Sequence, residues 1–372
     1  MNRKTFFKGL ALGTISLPLV IRSCGGDPMA QQDNSSAAIH TSKKFRWKMV
    51  TTWPPNFPVL GEGAKLWAEW VKVMSGGRLE IEVYGGGELV PALDCFDAVR
   101  NEVADCASGA AYYWAGKSPA AQFFGSIPFG MNAQQLNSWL YRGSGLQLWE
   151  ELYSSFNLIP MPGGNTGVQM GGWFNKEINS VADLQGLKMR MPGLGGKVLA
   201  KAGGTAVLLP GGELYTGLER GIIDATEWIG PYHDYKMGFH QIAKYYYTPG
   251  WHEPGTALEL IFNKDKYEAL PEDLQAIVRC ASERLNQWML AEFDAKNGEY
   301  LAKIKSESKA EIRSYPDEVM IQLKKYTKDV IQELADSDEM SRKIYTSYES
   351  FRSKGRPWAD LTERAYFEKV DI

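Results

Sequence analysis

Cysteine and histidine are scarce, with four of each in 372 residues. Cys24, Cys95, Cys106 and Cys280 lack the close pairing that marks zinc or iron–sulfur ligation. Beyond Cys24 three remain, and three cannot all pair. Buried free thiols are expected, with a Cys95–Cys106 disulfide as the alternative. His40, His233, His240 and His252 follow no zinc pattern and read as surface or hydrogen-bonded structural residues. No Gly-x-Ser-x-Gly elbow occurs. Gly193–Val198 lacks the spacing and final Ser/Thr of a phosphate loop, and Gly85-Gly86-Gly87 lacks the third glycine of a dinucleotide fingerprint. So few acid–base candidates weigh against an enzyme. No Lys/Arg-rich run occurs and the formal charge is −3, which argues against nucleic acid as the main partner. The apolar stretch Gly9–Ile21 is too short for a membrane span.

What is present describes a globular chain. With 44% hydrophobic and 23% charged residues, its length predicts two domains with real cores. The first residues follow the plan of an export signal: basic Arg3, Lys4 and Lys8, then the apolar stretch, then Arg22-Ser23-Cys24. The opening resembles a twin-arginine signal with Lys4 in place of the second arginine. Ile21–Cys24 resembles a lipoprotein processing site, with an unusual Arg22. Removing residues 1–24 takes four bases and no acid, so the charge falls from −3 to −7. An acidic protein that binds an anion must use local positive groups. Residues 25–44 are polar and without periodicity, a flexible tether.

From Phe45 onward strands alternate with helices. The sequence predicts strands at Phe45–Trp53, Leu79–Tyr84, Leu158–Met161, Gln169–Phe174, Leu187–Met191, Thr205–Leu209, Ile223–Trp228, Ala257–Asn263 and Lys309–Tyr315. Helices fall at 60–75, from Pro91 to about Val103, at 133–156, and at Gly195–Ala202. This rhythm indicates an α/β fold with largely parallel strands. Pro271-Glu272-Asp273 opens a helical stretch with no firm stop before about Ser306. Such a helix exceeds one small domain and should lie along two.

Three polar, glycine- and tryptophan-rich segments stand out: Gly163–Phe174, Gly186–Gly193 and Gly221–Tyr232, with Tyr245–Glu253 close behind. Arg190 ends a strand beside a turn, where α/β folds place ligand contacts. Its guanidinium suits a two-bond carboxylate contact, and a surface ion pair is the competing role. Gln169, Glu227 and Glu253 offer hard oxygen donors that suit Na⁺, Ca²⁺ or Mg²⁺ rather than zinc. Unrelated surface carboxylates are the plainer reading of the two acids.

At these segments, and at Gly86–Pro91 and Tyr112–Lys117, the chain closely resembles the solute-binding proteins of TRAP transporters (tripartite ATP-independent periplasmic transporters). The resemblance is greatest to the subgroup that binds α-keto acids with a metal ion, and it runs from about residue 45 to the end. It implies a two-domain periplasmic-binding-protein fold with a hinged cleft and a long helix spanning both domains. The implied division is 45–165 with 257–295, then 166–256 with 296–335, then C-terminal helices at 336–372. Arg190 falls on the carboxylate-binding arginine. Gln169 falls where ligand and metal are both contacted, Glu227 and Glu253 on acidic metal positions, and Trp228 on a metal-binding carbonyl beside the ligand. Asn165, Tyr113 and Trp114 fall in the cleft lining. The implied ligand is a 2-oxo acid such as pyruvate with Na⁺. The alternatives are a 2-hydroxy acid such as lactate with Ca²⁺, or a metal-dependent enzyme using Glu227 or Glu253 as base. The implied partners are TRAP membrane subunits, in the periplasm. The amphipathic tail permits a homodimer through C-terminal helices.

Overall fold

A computed structural model describes residues 43–370. The expected export signal, lipid attachment at Cys24, and the tether up to residue 42 lie outside the described residues. Among those residues the strands are β1 (Phe45–Thr51), β2 (Leu79–Tyr84), β3 (Cys106–Gly109), β4 (Leu158–Asn165), β5 (Gly172–Phe174), β6 (Lys188–Arg190), β7 (Thr205–Val207), β8 (Ala225–Thr226), β9 (Tyr245–Thr248), β10 (Ala257–Asn263) and β11 (Glu311–Ser314). They form two sheets, of order β2-β1-β3-β10-β4 and β11-β9-β5-β8-β6-β7.

The sheets are mixed, which corrects the expectation of largely parallel strands. β1 runs parallel to β2 and β3, while β10 is antiparallel to β3 and β4. In the second sheet β6 is parallel to β7 and β8, and β9 to β11, while β5 is antiparallel to β8 and β9. β11 arrives from the other sheet through the long helix Glu272–Glu307 and is parallel to β9; β5 and β10 arrive from the other sheet by short connections without a helix. No helical crossover within the sheet fixes their direction. The two crossings lie side by side: Ala257 pairs with Asn165, and the Thr166 N–H donates to the Thr256 carbonyl at 3.1 Å.

The helix Glu272–Glu307 has 36 residues, about 54 Å at 1.5 Å per residue. Its first half buries Leu274, Val278, Ala281, Leu285 and Met289 against the helix Leu60–Met74 and β4. Farther along, Phe293 meets His233, and the Asn297 side chain accepts from the Tyr232 N–H at 3.1 Å. The helix therefore lies along both sheets' layers, as its length predicts.

The helix Asp317–Ala335 then packs on the helix Gly193–Lys201 of the second sheet. The helix Glu339–Leu361 returns to the first sheet's side. There Tyr348 Oη accepts from the Met131 N–H at 2.8 Å, and the Trp139 indole donates to Ser347 at 3.0 Å. The single helix expected at 133–156 is two, Ala133–Arg142 and Gly145–Ser154, because the backbone turns extended at Gly143. Cys95 and Cys106 are free and buried, and burial pushes the Cys95 thiol up to about 12. Cys280 is free but exposed, against the expectation of burial.

Candidate ligand and metal site

Residues from both sheets enclose a small cavity. Trp53, Leu60, Tyr112, Tyr113 and Leu258 come from one side, and Thr166, Gln169, Arg190, Trp228 and Ile229 from the other. A wider depression along Arg46, Lys65, Lys72 and Glu80 is open, and its charges pair with each other, Lys72 with Glu80 at 3.5 Å. The enclosed cavity, with buried charge in its wall, is the candidate.

Arg190 ends β6 and is 2% exposed. Its Nη1 forms an ion pair with Glu227 Oε1 and donates to the Glu227 carbonyl at 3.2 Å. Nη2 donates to Tyr113 Oη at 3.2 Å, a link between the two sheets' residues. The Trp228 ring lies 5.2 Å from the guanidinium carbon, within cation–π range. Burial alone pulls the guanidinium's pKa down. The Glu227 carboxylate and the Tyr113 and Tyr112 phenols outweigh that and raise it, so the charge is fixed. Burial also raises both phenols, which keeps them neutral donors.

Gln169 sits in a backbone clamp. Its N–H donates to the Glu253 carbonyl at 3.1 Å, and its carbonyl accepts from the Gly250 N–H at 2.9 Å. A Cβ at residue 250 would stand 2.2 Å from the Gln169 carbonyl oxygen, so only glycine permits the approach. Gln169 Nε2 donates to Glu253 Oε2 at 2.7 Å and to Thr166 Oγ1 at 3.1 Å. Its Oε1, an acceptor, has no partner among the described residues. Glu253 also accepts from the Thr256 hydroxyl. Burial, then the like charge of Glu227, raises the Glu253 carboxyl to about 7, while His252, Thr256 and Arg190 pull the other way. Glu227, His252 and Glu253, all buried, each offer a ligand atom within 4.8 Å of the others.

Arg190, Glu227, Gln169, Glu253, Trp228 and Tyr113 thus converge. Asn165 ends β4 close by. Its Oδ1 accepts from the Gly167 N–H at 2.9 Å, and its Nδ2 has no partner among the described residues. Trp114 does not line the cavity. Its indole donates to Glu259 in the first sheet's core, and the adjacent Tyr112 takes the wall position. Sequence reasoning missed Tyr112; it read His252 first as a structural histidine and then, beside Glu253 where the resembled subgroup usually carries an aromatic, as a departure bearing on the metal shell or the pocket's size.

Two sheets joined by paired crossings, with a fixed buried guanidinium and an unpartnered acceptor at a cavity between them, define a ligand-binding protein. The sequence pattern of bacterial extracellular solute-binding proteins, family 7 (DctP), matches residues 49–338, and the chain belongs to that family. It is a solute-binding protein of the TRAP type. A monocarboxylate 2-oxoacid-binding periplasmic protein of Nostoc sp. is 41% identical over 366 residues, 98% of each chain. A TRAP periplasmic solute-binding protein from Colwellia psychrerythraea, solved with calcium and pyruvate, is 44% identical with a TM-score of 0.85, over 88% of this chain and 99% of that one. One from Pseudoalteromonas atlantica, solved with sodium and pyruvate, is 43% identical with a TM-score of 0.86, over the same shares. No helix among the described residues is long and apolar enough to cross a membrane.

Proposed function

We propose that this chain captures a small 2-oxo monocarboxylate of the pyruvate type through Arg190 and a bound cation, and presents it to TRAP membrane subunits in the periplasm without chemical turnover. The carrying observation is the pairing of a buried guanidinium with an unpartnered buried amide oxygen, Gln169 Oε1. A guanidinium supplies donors to a carboxylate. An orphan acceptor cannot serve an anion, but it suits a hard cation.

The charges support the same reading. Glu227 and Glu253, when both are ionised, outnumber Arg190 in a buried site, and an arriving carboxylate would add a third negative charge. A cation relieves that repulsion. Gln169 Oε1, the Glu227 and Glu253 carboxylates and the Trp228 carbonyl are the donors that would hold it. Na⁺ is the ion proposed, with Ca²⁺ the alternative, since one relative was solved with each. Bound there, the ion supplies a positive partner for both the carboxylate and the neighbouring keto oxygen. That favours a 2-oxo acid over a plain fatty acid.

Asn165, through Nδ2, and Tyr113, through Oη, are further contacts for the acid. We read residues 45–165 with 257–295 as one lobe and 166–256 with 296–335 as the other, hinged at the paired crossings. Closure is then a population shift drawn by a ligand that touches both lobes. Ile344 and Tyr348 are buried within the chain, so pairing of two copies through the C-terminal helices would rest on exposed Trp358, Leu361 and Tyr366.

The test is a thermal-shift panel on chelator-treated protein, with pyruvate, lactate and propionate, each with Na⁺, Ca²⁺ or chelator. Stabilisation grows with the logarithm of saturation. Pyruvate with a cation should give the largest shift, and Arg190→Ala should abolish it while circular dichroism stays native. Near-normal calorimetric affinity in Arg190→Ala, or product formation from any acid by NMR, would overturn the reading.

A further inference from the structure

One buried group at the site has no role in this account. His252 is 1% exposed, and neither ring nitrogen has a hydrogen-bond partner among the described residues. Nε2 stands 3.4 Å from Glu227 Oε2, outside hydrogen-bond geometry. The ring is held in place: Trp251 packs edge-on with centroids 5.7 Å apart, and a Cβ at Gly195 would fall 2.9 Å from the His252 Cβ. Buried polar atoms are almost always partnered, and leaving one unmet costs free energy. Two unmet atoms on one ring point to a partner from outside the chain.

The neighbours narrow what that partner is. One His252 nitrogen, one Glu227 oxygen and one Glu253 oxygen lie within 4.8 Å of one another. Ligand atoms this close can share one ion, with bonds from about 2.0–2.2 Å for a first-row ion to about 2.3–2.6 Å for Ca²⁺. A bound water would answer one ring nitrogen, but it would not offset the two carboxylates.

Resting on the reading of Glu227 and Glu253 as cation ligands, we propose that His252 is a direct nitrogen ligand of that cation and tilts this chain's ion choice toward borderline divalent ions such as Mn²⁺ or Zn²⁺. Imidazole suits those ions, whereas Na⁺ and Ca²⁺ take oxygen. With two carboxylates and an amide oxygen, the imidazole makes a mixed nitrogen–oxygen set. Arg190 can still meet the acid through Nη2, which would exchange Tyr113 Oη for the carboxylate.

The experiment uses the metal-stripped chain reloaded with Mn²⁺ in the presence of pyruvate. Electron spin-echo modulation should show a directly bonded ¹⁴N, lost in His252→Gln. In an equimolar Mn²⁺/Ca²⁺ competition read by mass spectrometry, the Mn²⁺ preference should fall about tenfold or more in His252→Gln. The Ca²⁺-supported pyruvate shift should fall less than the Mn²⁺-supported one. Absence of ¹⁴N coupling in the unaltered protein overturns the proposal whatever the variant does, as does an unchanged Mn²⁺/Ca²⁺ ratio in a folded variant. Glu227→Gln separates the two levels of argument. If it removes cation-supported pyruvate binding and His252→Gln leaves ion choice untouched, only the imidazole's role falls. If Glu227→Gln changes nothing, the cation site itself falls.

Discussion

The molecule buries carboxylates in two kinds of surroundings. Glu259 in β10 accepts from the Trp114 indole and, at 2.9 Å, from Tyr153 Oη. Asp234, in the helix Pro231–Lys236, accepts from the Trp173 indole at 3.0 Å, Tyr246 Oη at 2.7 Å and the Ile229 N–H at 3.2 Å. Both are ringed by donors of the chain itself. Glu227 and Glu253 instead lie beside Gln169 Oε1 and the His252 ring, whose polar atoms lack partners among the described residues. A closed network belongs to the fold, and an open one is built for something that arrives.

The sharpest way to break this contrast is to disable one member of each kind. Glu259→Leu leaves the Trp114 and Tyr153 donors buried and unmet, and should cost roughly 3–5 kcal/mol of stability in a urea melt. Ligand affinity of the protein that remains folded should be unchanged. Glu253→Gln removes a charge that burial and Glu227 both oppose. It should raise the stability of the ligand-free protein by about 1 kcal/mol and shrink the cation-dependent pyruvate shift. Equal losses of stability in the two variants would erase the distinction.

A pH series sharpens it further. Burial raises Asp234 from 3.8, and Glu259 from 4.5, to about 7 each in the folded chain. Their hydrogen-bond donors pull the other way and only partly offset burial. The native state therefore holds these protons more firmly than the unfolded state. On this account stability is full below about pH 4 and is lost as pH rises through about 7. Each group contributes a loss on the order of 3–4 kcal/mol across that span. Melting temperatures of the ligand-free protein should fall from pH 5 to 8, and Asp234→Asn should flatten part of that slope. An unchanged slope in that variant would mean Asp234 stays ionised within its ring of donors.

The same contrast explains what the sequence disclosed. The long helix was legible because Pro271 and two acids start it and nothing stops it before Ser306. β10 was legible as a buried apolar run, but its antiparallel direction was not, since direction depends on how the chain arrives from the other sheet. Arg190, Gln169, Glu227 and Glu253 were legible through motif resemblance, not spacing, because these four alone span up to 84 positions, as Gln169 and Glu253 do. Trp114 and Tyr112 were exchanged because neighbouring aromatics in a short helical turn point to opposite sides, and only packing says which side is the core. His252 was legible only as a departure beside Glu253, because a histidine without a second patterned ligand otherwise looks like any structural histidine.

The smallest expected effect tests the seam between the two regions. Tyr113 belongs to the first sheet's side and Arg190 to the second, and the Oη–Nη2 bond at 3.2 Å joins them. Tyr113→Phe keeps the ring, its edge-on contact with Tyr112 at 5.0 Å and its tilted one with Trp53 at 6.3 Å, and removes only the hydroxyl. A hydrogen bond to a charged group is worth about 1.5–3 kcal/mol when buried and intact, and less where a ligand carboxylate can take over the freed donor. The unfolding free energy should therefore drop by about 1 kcal/mol. Pyruvate affinity should fall only a few-fold by calorimetry, because Arg190 exchanges a phenol for an anion. If affinity instead fell as far as in Arg190→Ala, the phenol and not the guanidinium would be holding the acid.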